Sequence, residues 1–113
     1  MRVMRQCCRM TIHLCENARV GRRSLADVLL GDARDAGLAG ATILRGIEGF
    51  GRDGQLHTSH FRDHSGHLPI ALVVIDEEEK VRAFLRASEA AVGGRLVTLE
   101  RVEVVRREPA AAP

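Results

Sequence analysis

Six consecutive apolar residues, Ile70-Ala-Leu-Val-Val-Ile75, stand between Pro69 and the acidic run Asp76-Glu77-Glu78-Glu79. A strand sends successive side chains to opposite faces, so Ile70, Leu72 and Val74 point one way and Ala71, Val73 and Ile75 the other. Such a strand belongs in the interior with cover on both faces. Any fold for this chain must supply both covers, yet 113 residues make a single domain, 1–113, with one modest core.

The rest of the chain supplies one cover. Met10-Thr-Ile-His-Leu-Cys15 alternates as a strand. Ser24 and Asp27 resemble a capping box opening a helix, with Leu25, Val28, Leu29, Ala33 and Ala36 at helical spacing and Gly37 as the stop. Gly31 inside that helix costs about 1 kcal/mol against Ala, which predicts a close neighbour that needs the missing side chain. Ala41 to Ile47 reads as a second strand, followed by the glycine-rich break Gly49-Phe-Gly-Arg-Asp-Gly54 and a long loop over 49–67. After strand Ile70–Ile75, Asp76 is placed to cap a second helix whose buried stripe is Val81, Phe84, Leu85, Ser88 and Val92. Gly93-Gly94 ends it and Leu96 to Val105 forms a last strand.

The order β-α-β-β-α-β predicts an α+β, ferredoxin-like fold. It is a four-stranded antiparallel sheet with both helices on one face and the first and third strands central. The second face of Ile70–Ile75 then has no third layer to cover it, so another copy of the chain is the expected cover and the protein is expected to be an obligate homo-oligomer.

Composition narrows the function classes. Three Phe, no Tyr and no Trp leave no stacking platform for nucleic-acid bases. A net charge of +2 with interleaved signs does not indicate binding to nucleic acid or an anionic membrane. Arg19, Arg22 and Arg23 read as a solvated helix start, able to meet one phosphate or one acidic partner. No apolar run approaches the roughly 20 residues of a membrane helix, and MRVMRQCCRM lacks the apolar centre of a signal segment. Cys7, Cys8 and Cys15 are odd in number, which fits small buried hydrophobes in a reduced, cytoplasmic setting. Residues 1–8 and 107–113 read as flexible tails. No nucleophile is marked, and Asp53 with His57 is the one conceivable acid–base pair, so the chain is not read as an enzyme.

Four of five histidines fall together: His57, His60, His64 and His67. On a helix they would form one stripe able to ligate zinc, but Ser65-Gly66 and Pro69 interrupt any helix. The reading is a solvated loop, with a ligand contact by His57 alone, or metal binding by several copies, as the alternatives. His13 is expected to be a core or interface histidine.

The segments GLAGATILRGIEGFGRDGQLHTS (37–59), LPIALVVIDEEEKVRAFL and GGRLVTLERVEVV resemble domain-of-unknown-function family 190, over roughly residues 9–106. That resemblance implies a PII-like signalling protein: a homotrimer of ferredoxin-like subunits with sheets facing inward. It implies nucleotides in the clefts between subunits, at the base of a partner-contacting loop. Carried over by position, Gly46, Gly49, Phe50 and Gly51 match the loop-base pattern, His57 and Thr58 its His-Thr pair, and Glu16 the acidic residue after the first strand. Gly93 and Gly94 fall at a phosphate-contacting turn. Glycine suits both places because backbone N–H groups approach an anion closely only without a Cβ. With Arg45 and Arg95 to neutralise phosphate, the expected ligand set is Arg45, Gly46, Gly49, Phe50, Gly51, His57, Thr58, Gly93, Gly94 and Arg95. The expected ligand is small and anionic, an adenine nucleotide, and the resemblance suggests a membrane transporter or channel as partner. The alternative is a metal-binding trimer using the histidine loop, akin to metal-tolerance proteins of similar architecture, with a ligand-free scaffold third.

Overall fold

The computed structural model describes residues 4–58 and 68–105. Its elements in chain order are β1 (Met4–Cys15), β2 (Arg19–Val20), β3 (Arg23–Ser24), α1 (Leu25–Asp35), β4 (Gly40–Arg45), β5 (Glu48–Gly49), β6 (His57–Thr58), β7 (Pro69–Glu77), α2 (Glu78–Ala87), α3 (Glu89–Val92) and β8 (Val97–Val104). The main sheet has four strands in the order β4-β7-β1-β8, every neighbour antiparallel. With α1 and α2 on one face this is the ferredoxin-like arrangement, and β1 and β7 hold the centre as the element order requires.

The core lies between that face and the helices. Met10, Ile12 and Leu14 of β1 and Ile70, Leu72 and Val74 of β7 meet Leu25, Leu29 and Ala33 of α1 and Val81 and Phe84 of α2. Each aliphatic side chain buried there stabilises the fold by about 1.5–3 kcal/mol. Cys7 and Cys8 are buried, as expected of small hydrophobes. Burial pushes both thiols up from their ordinary pKa, with the carboxylate of Glu77 adding to the rise at Cys7 and that of Glu78 at Cys8.

The other face is open. Register places Gly40, Ile75, Arg9 and Glu100 in one row across the sheet and Thr42, Val73, Thr11 and Thr98 in the next. Leu44, Ala71 and His13 make a third row, completed by the hydrogen bond from His13 N–H to the Leu96 carbonyl (2.9 Å). Arg9 donates to the Glu100 carboxylate from Nε and Nη2, one edge of its guanidinium (2.9 to 3.3 Å). Leu44 is 56% exposed, and Ala71, Val73 and Ile75 are only half-buried within one subunit. His13 is exposed, which removes the core reading and leaves it on this face.

Four local expectations are corrected. Asp76 does not cap α2; the N-cap is Glu77, without a side-chain cap bond. Asp76 instead ends the buried side of β7, where its carboxylate accepts from Ala39 N–H (2.9 Å) and Glu77 N–H (2.6 Å), tying the entry of β4 to the exit of β7. A Cβ placed on Gly31 would meet nothing within 4 Å, so no neighbour in the subunit requires a glycine there. The arginines at 19–23 do not start a helix: β2 pairs with β3, Val20 facing Arg23, around a two-residue loop whose first residue, Gly21, has φ 60°, as a type II′ hairpin needs. The helix begins only at Leu25, where Ser24 Oγ accepts from Asp27 N–H (3.4 Å). Finally, β1 starts well before Met10, with a register break between Met4 and Cys7 and Gln6 at φ 49°.

Asp76 is 2% exposed and satisfies two backbone donors. Asp76→Ala should therefore lower the unfolding free energy by about 2–3 kcal/mol, and Asp76→Asn, which keeps one acceptor, by less. Urea titration followed by circular dichroism measures both.

Candidate functional site

Arg45 is the last residue of β4, on the edge of the sheet, and its Nε lies 2.7 Å from Glu16 Oε2. Glu16 follows β1 two strands away, held by its own N–H donating to the Leu68 carbonyl (2.8 Å). The pair therefore spans the start of β7 and ties together the ends of three strands. Arg45 is 60% exposed and Glu16 only 23%, so the carboxylate is fixed while the far side of the guanidinium faces solvent. The second carboxylate oxygen, Glu16 Oε1, is buried and has no hydrogen-bond partner among the described residues.

Beyond Arg45 the chain turns tightly against Pro69. Gly46 N–H donates to the Pro69 carbonyl (2.7 Å), and a Cβ on Gly46 would sit 2.7 Å from Pro69 Cγ. A Cβ on Gly49 would sit 3.1 Å from the same atom. Close packing on a proline ring requires Gly46 and favours Gly49, a reason internal to the subunit and distinct from approach to an anion. β5 then pairs with β6, Glu48 facing Thr58 and Gly49 facing His57. Thr58 is buried and His57 half-buried, whereas Phe50 is 73% exposed and Gly51 open. Asp53 Oδ1 accepts from Gln55 N–H (2.9 Å), so this carboxylate shapes the turn.

The other expected half of the site lies where α3 gives way to β8. Gly93 closes α3 at φ 60° and ψ −140°, a conformation that favours glycine. Arg95 Nη1 reaches the Val92 and Ala91 carbonyls (3.3 and 3.5 Å), placing its positive charge on the helix C-terminus. Gly93, Gly94 and Arg95 precede β8, while Arg45 ends β4 and Gly46 and Gly49 follow it; both groups sit at the same end of the sheet. They are on opposite edges, however, three inter-strand steps or roughly 14 Å apart. The structure thus brings together Arg45, Gly46, Gly49, His57 and Thr58, and holds Gly93, Gly94 and Arg95 apart from them within one subunit.

His60, His64 and His67 lie outside the described residues. Among the described residues no group of three His, Cys, Asp or Glu side chains is arranged to hold a metal ion. Pro69 is the participant that sequence reading misses: it stands far along the chain from Gly46 and Gly49, and only the pairing of β4 with β7 brings it beneath them.

Comparison with known proteins places this geometry. The model of the DUF190 family, described as an uncharacterized ACR, matches residues 7–104. A UPF0166 protein of Aquifex aeolicus (strain VF5) is 39% identical over 77 residues, 68% of this chain and 72% of the relative. A second UPF0166 protein of the same organism is 33% identical over 70 residues, 62% of this chain and 73% of the relative. Among solved structures, CPII, a nitrogen regulatory PII-like protein from Thiomonas intermedia K12 bound to ADP, AMP and bicarbonate, superimposes with a TM-score of 0.64 at 19% identity, over 88% of this chain and 89% of that one. A PII-like protein from Thermus thermophilus superimposes at 0.59 and 20% identity, over 93% of this chain and 94% of that one. These likenesses establish a shared fold.

The packing on Pro69 makes a directional prediction. Gly46→Ala should cost about 1–3 kcal/mol through overpacking, and Gly49→Ala, with its looser approach, less. Combining Gly46→Ala with Pro69→Ala should recover much of that loss, so a double-mutant cycle read by thermal unfolding should show favourable coupling between the two sites. Additive losses would mean that the glycine is needed for some other reason.

Proposed function

The chain belongs to the DUF190 family, and from the geometry of its loop base we propose that it is a PII-like regulatory protein acting as a homotrimer. In this reading it binds a small anionic ligand, an adenine nucleotide, in clefts between subunits. The observation that carries the proposal is the division of the basic, glycine-bordered segments between opposite edges of one sheet end. One subunit cannot close them on a ligand. A neighbour that lays its β8 edge beside the β4 edge of the first can. The open sheet face supports the same arrangement, because a ring of copies with sheets inward would cover Leu44, Ala71, Val73 and Ile75. CPII, which shares the fold, carries ADP, AMP and bicarbonate.

Each residue then has a stated task. Arg45, anchored at Nε by Glu16, turns its terminal nitrogens outward to a phosphate, and Arg95 of the adjacent copy leaves the weak contacts to Ala91 and Val92 to meet the other side. The backbone N–H groups of Gly93 and Gly94 lie along the anion, while Phe50, Gly51, His57 and Thr58 line the mouth of the loop. Binding biases the loop that opens at Phe50 between conformations, and a partner reads the result; a membrane transporter or channel is the partner we assign, with the protein acting in the cytoplasm and catalysing no reaction. Among the described residues no helix is long and apolar enough to cross a membrane.

The test is complementation with ADP as the probe. Wild-type protein with ADP at 100 times its Kd should gain about 2.7 kcal/mol of stability, visible as a raised Tm. Arg45→Ala and Arg95→Ala should each abolish that gain. Mixed assemblies, refolded from equal amounts of the two variants, should recover binding at about a quarter of the sites if each site takes one arginine from each of two neighbours in a ring. No recovery would place both arginines in one subunit's site and contradict the inter-subunit cleft.

A further inference from the structure

The hairpin β2–β3 concentrates charge in a way the interleaved sequence conceals. Arg19, Arg22 and Arg23 are all exposed within five residues that contain no carboxylate, and none of the three has an ion-pair partner among the described residues. The hairpin is not a loose arm. It is fastened at both ends by the bonds from Ala18 N–H to the Cys15 carbonyl (3.0 Å) and from Leu25 N–H to the Ala18 carbonyl (2.8 Å), and its turn is set by Gly21. It projects from the sheet end that also carries the loop base, linked to it by the Glu16–Arg45 pair. Exposed apolar side chains stand at that same end: Val20 on the hairpin itself, and Ile47, Phe50 and Leu56 on the loop. The opposite end holds Asp76 to Glu79 and Glu103, where Arg82 and Arg101 both pair with Glu78.

We infer that this end is a docking surface for anionic phospholipid headgroups. Guanidinium groups pair with phosphate in a fork geometry, and three without internal partners have no carboxylate to release first. Exposed aliphatic and aromatic side chains beside unpaired arginines match the boundary between headgroups and acyl chains. The surface belongs to a single subunit and does not depend on nucleotide binding. If subunits are related by a rotation with their strands inclined along the axis, every copy presents its hairpin to the same side, and the attraction to a flat anionic layer is multiplied.

Vesicle flotation tests this with full-length protein. The vesicles are phosphatidylcholine alone or with about one-third phosphatidylserine, in roughly 0.15 M salt. Wild-type protein should float with the anionic vesicles and not with phosphatidylcholine alone. Arg22→Glu should cut the bound fraction at least about five-fold. Arg34→Glu, which makes the same change in net charge at the opposite end on a side chain that is 86% exposed, should leave it unchanged. Arg22→Gln should fall between Arg22→Glu and wild type, and serves if charge reversal disturbs folding. Failure of the wild type to float, equal loss in the Arg22 and Arg34 variants, or equal binding to uncharged vesicles would overturn the proposal. Capture on immobilised polyglutamate without flotation would assign the hairpin to an acidic protein and overturn it equally.

Discussion

A strand with apolar side chains on both faces, set in a sheet with helices on only one, is the constraint from which the rest of this protein follows. Ile70, Leu72 and Val74 find their cover in α1 and α2 and form the centre of the core. Ala71, Val73 and Ile75 find only the flanking strands, and the rows across the open face add Leu44, Thr42, Thr11 and His13. That face is too apolar at its centre to serve simply as a wetted surface, and its polar members are threonines, His13 and one arginine–carboxylate pair that can remain satisfied inside an interface. The same geometry divides the candidate site, because the segments following β4 and preceding β8 lie on opposite edges of the sheet.

The loop base shows how one set of residues serves packing first and, in the proposed reading, binding second. Gly46 and Gly49 are small because Pro69 lies against them, and Gly46 also returns a hydrogen bond to the Pro69 carbonyl. The tight turn this produces fixes the direction in which Arg45 leaves the sheet, and Glu16 fixes the guanidinium from the inner side. A partly exposed pair of this kind adds little to stability. Its consequence is positional: a rigid cation at the mouth of a loop whose next residues, Ile47 and Phe50, are exposed.

Much of this architecture is legible in the residues alone. The doubly apolar run at 70–75, the alternation at 10–15, and the helical stripes of Leu25, Leu29 and Ala33 and of Val81 and Phe84 lead to the strand order and to the faces that become core. Less legible are features decided by contacts between distant segments. Asp76 looks like a helix cap beside three glutamates, but the carboxylate is drawn to Ala39 N–H by the pairing of β4 and β7. The arginines at 19–23 resemble a helix start until Gly21 is seen to close a hairpin. The early part of β1 does not alternate because a bulge at Gln6 shifts its register. For the candidate site, the loop-base glycines and Arg45 stand out as a pattern, while their reason, Pro69, does not, and the separation of Arg95 from Arg45 needs the sheet order to be known.

Sedimentation equilibrium of the full chain, at concentrations spanning the micromolar range, decides whether copies of the chain cover the second face of β7. A trimer should appear as a single species of about three times the 12.4 kDa chain mass, persisting on dilution. A particle of 12.4 kDa at every concentration would leave Ala71, Val73 and Ile75 uncovered in solution and would contradict that cover.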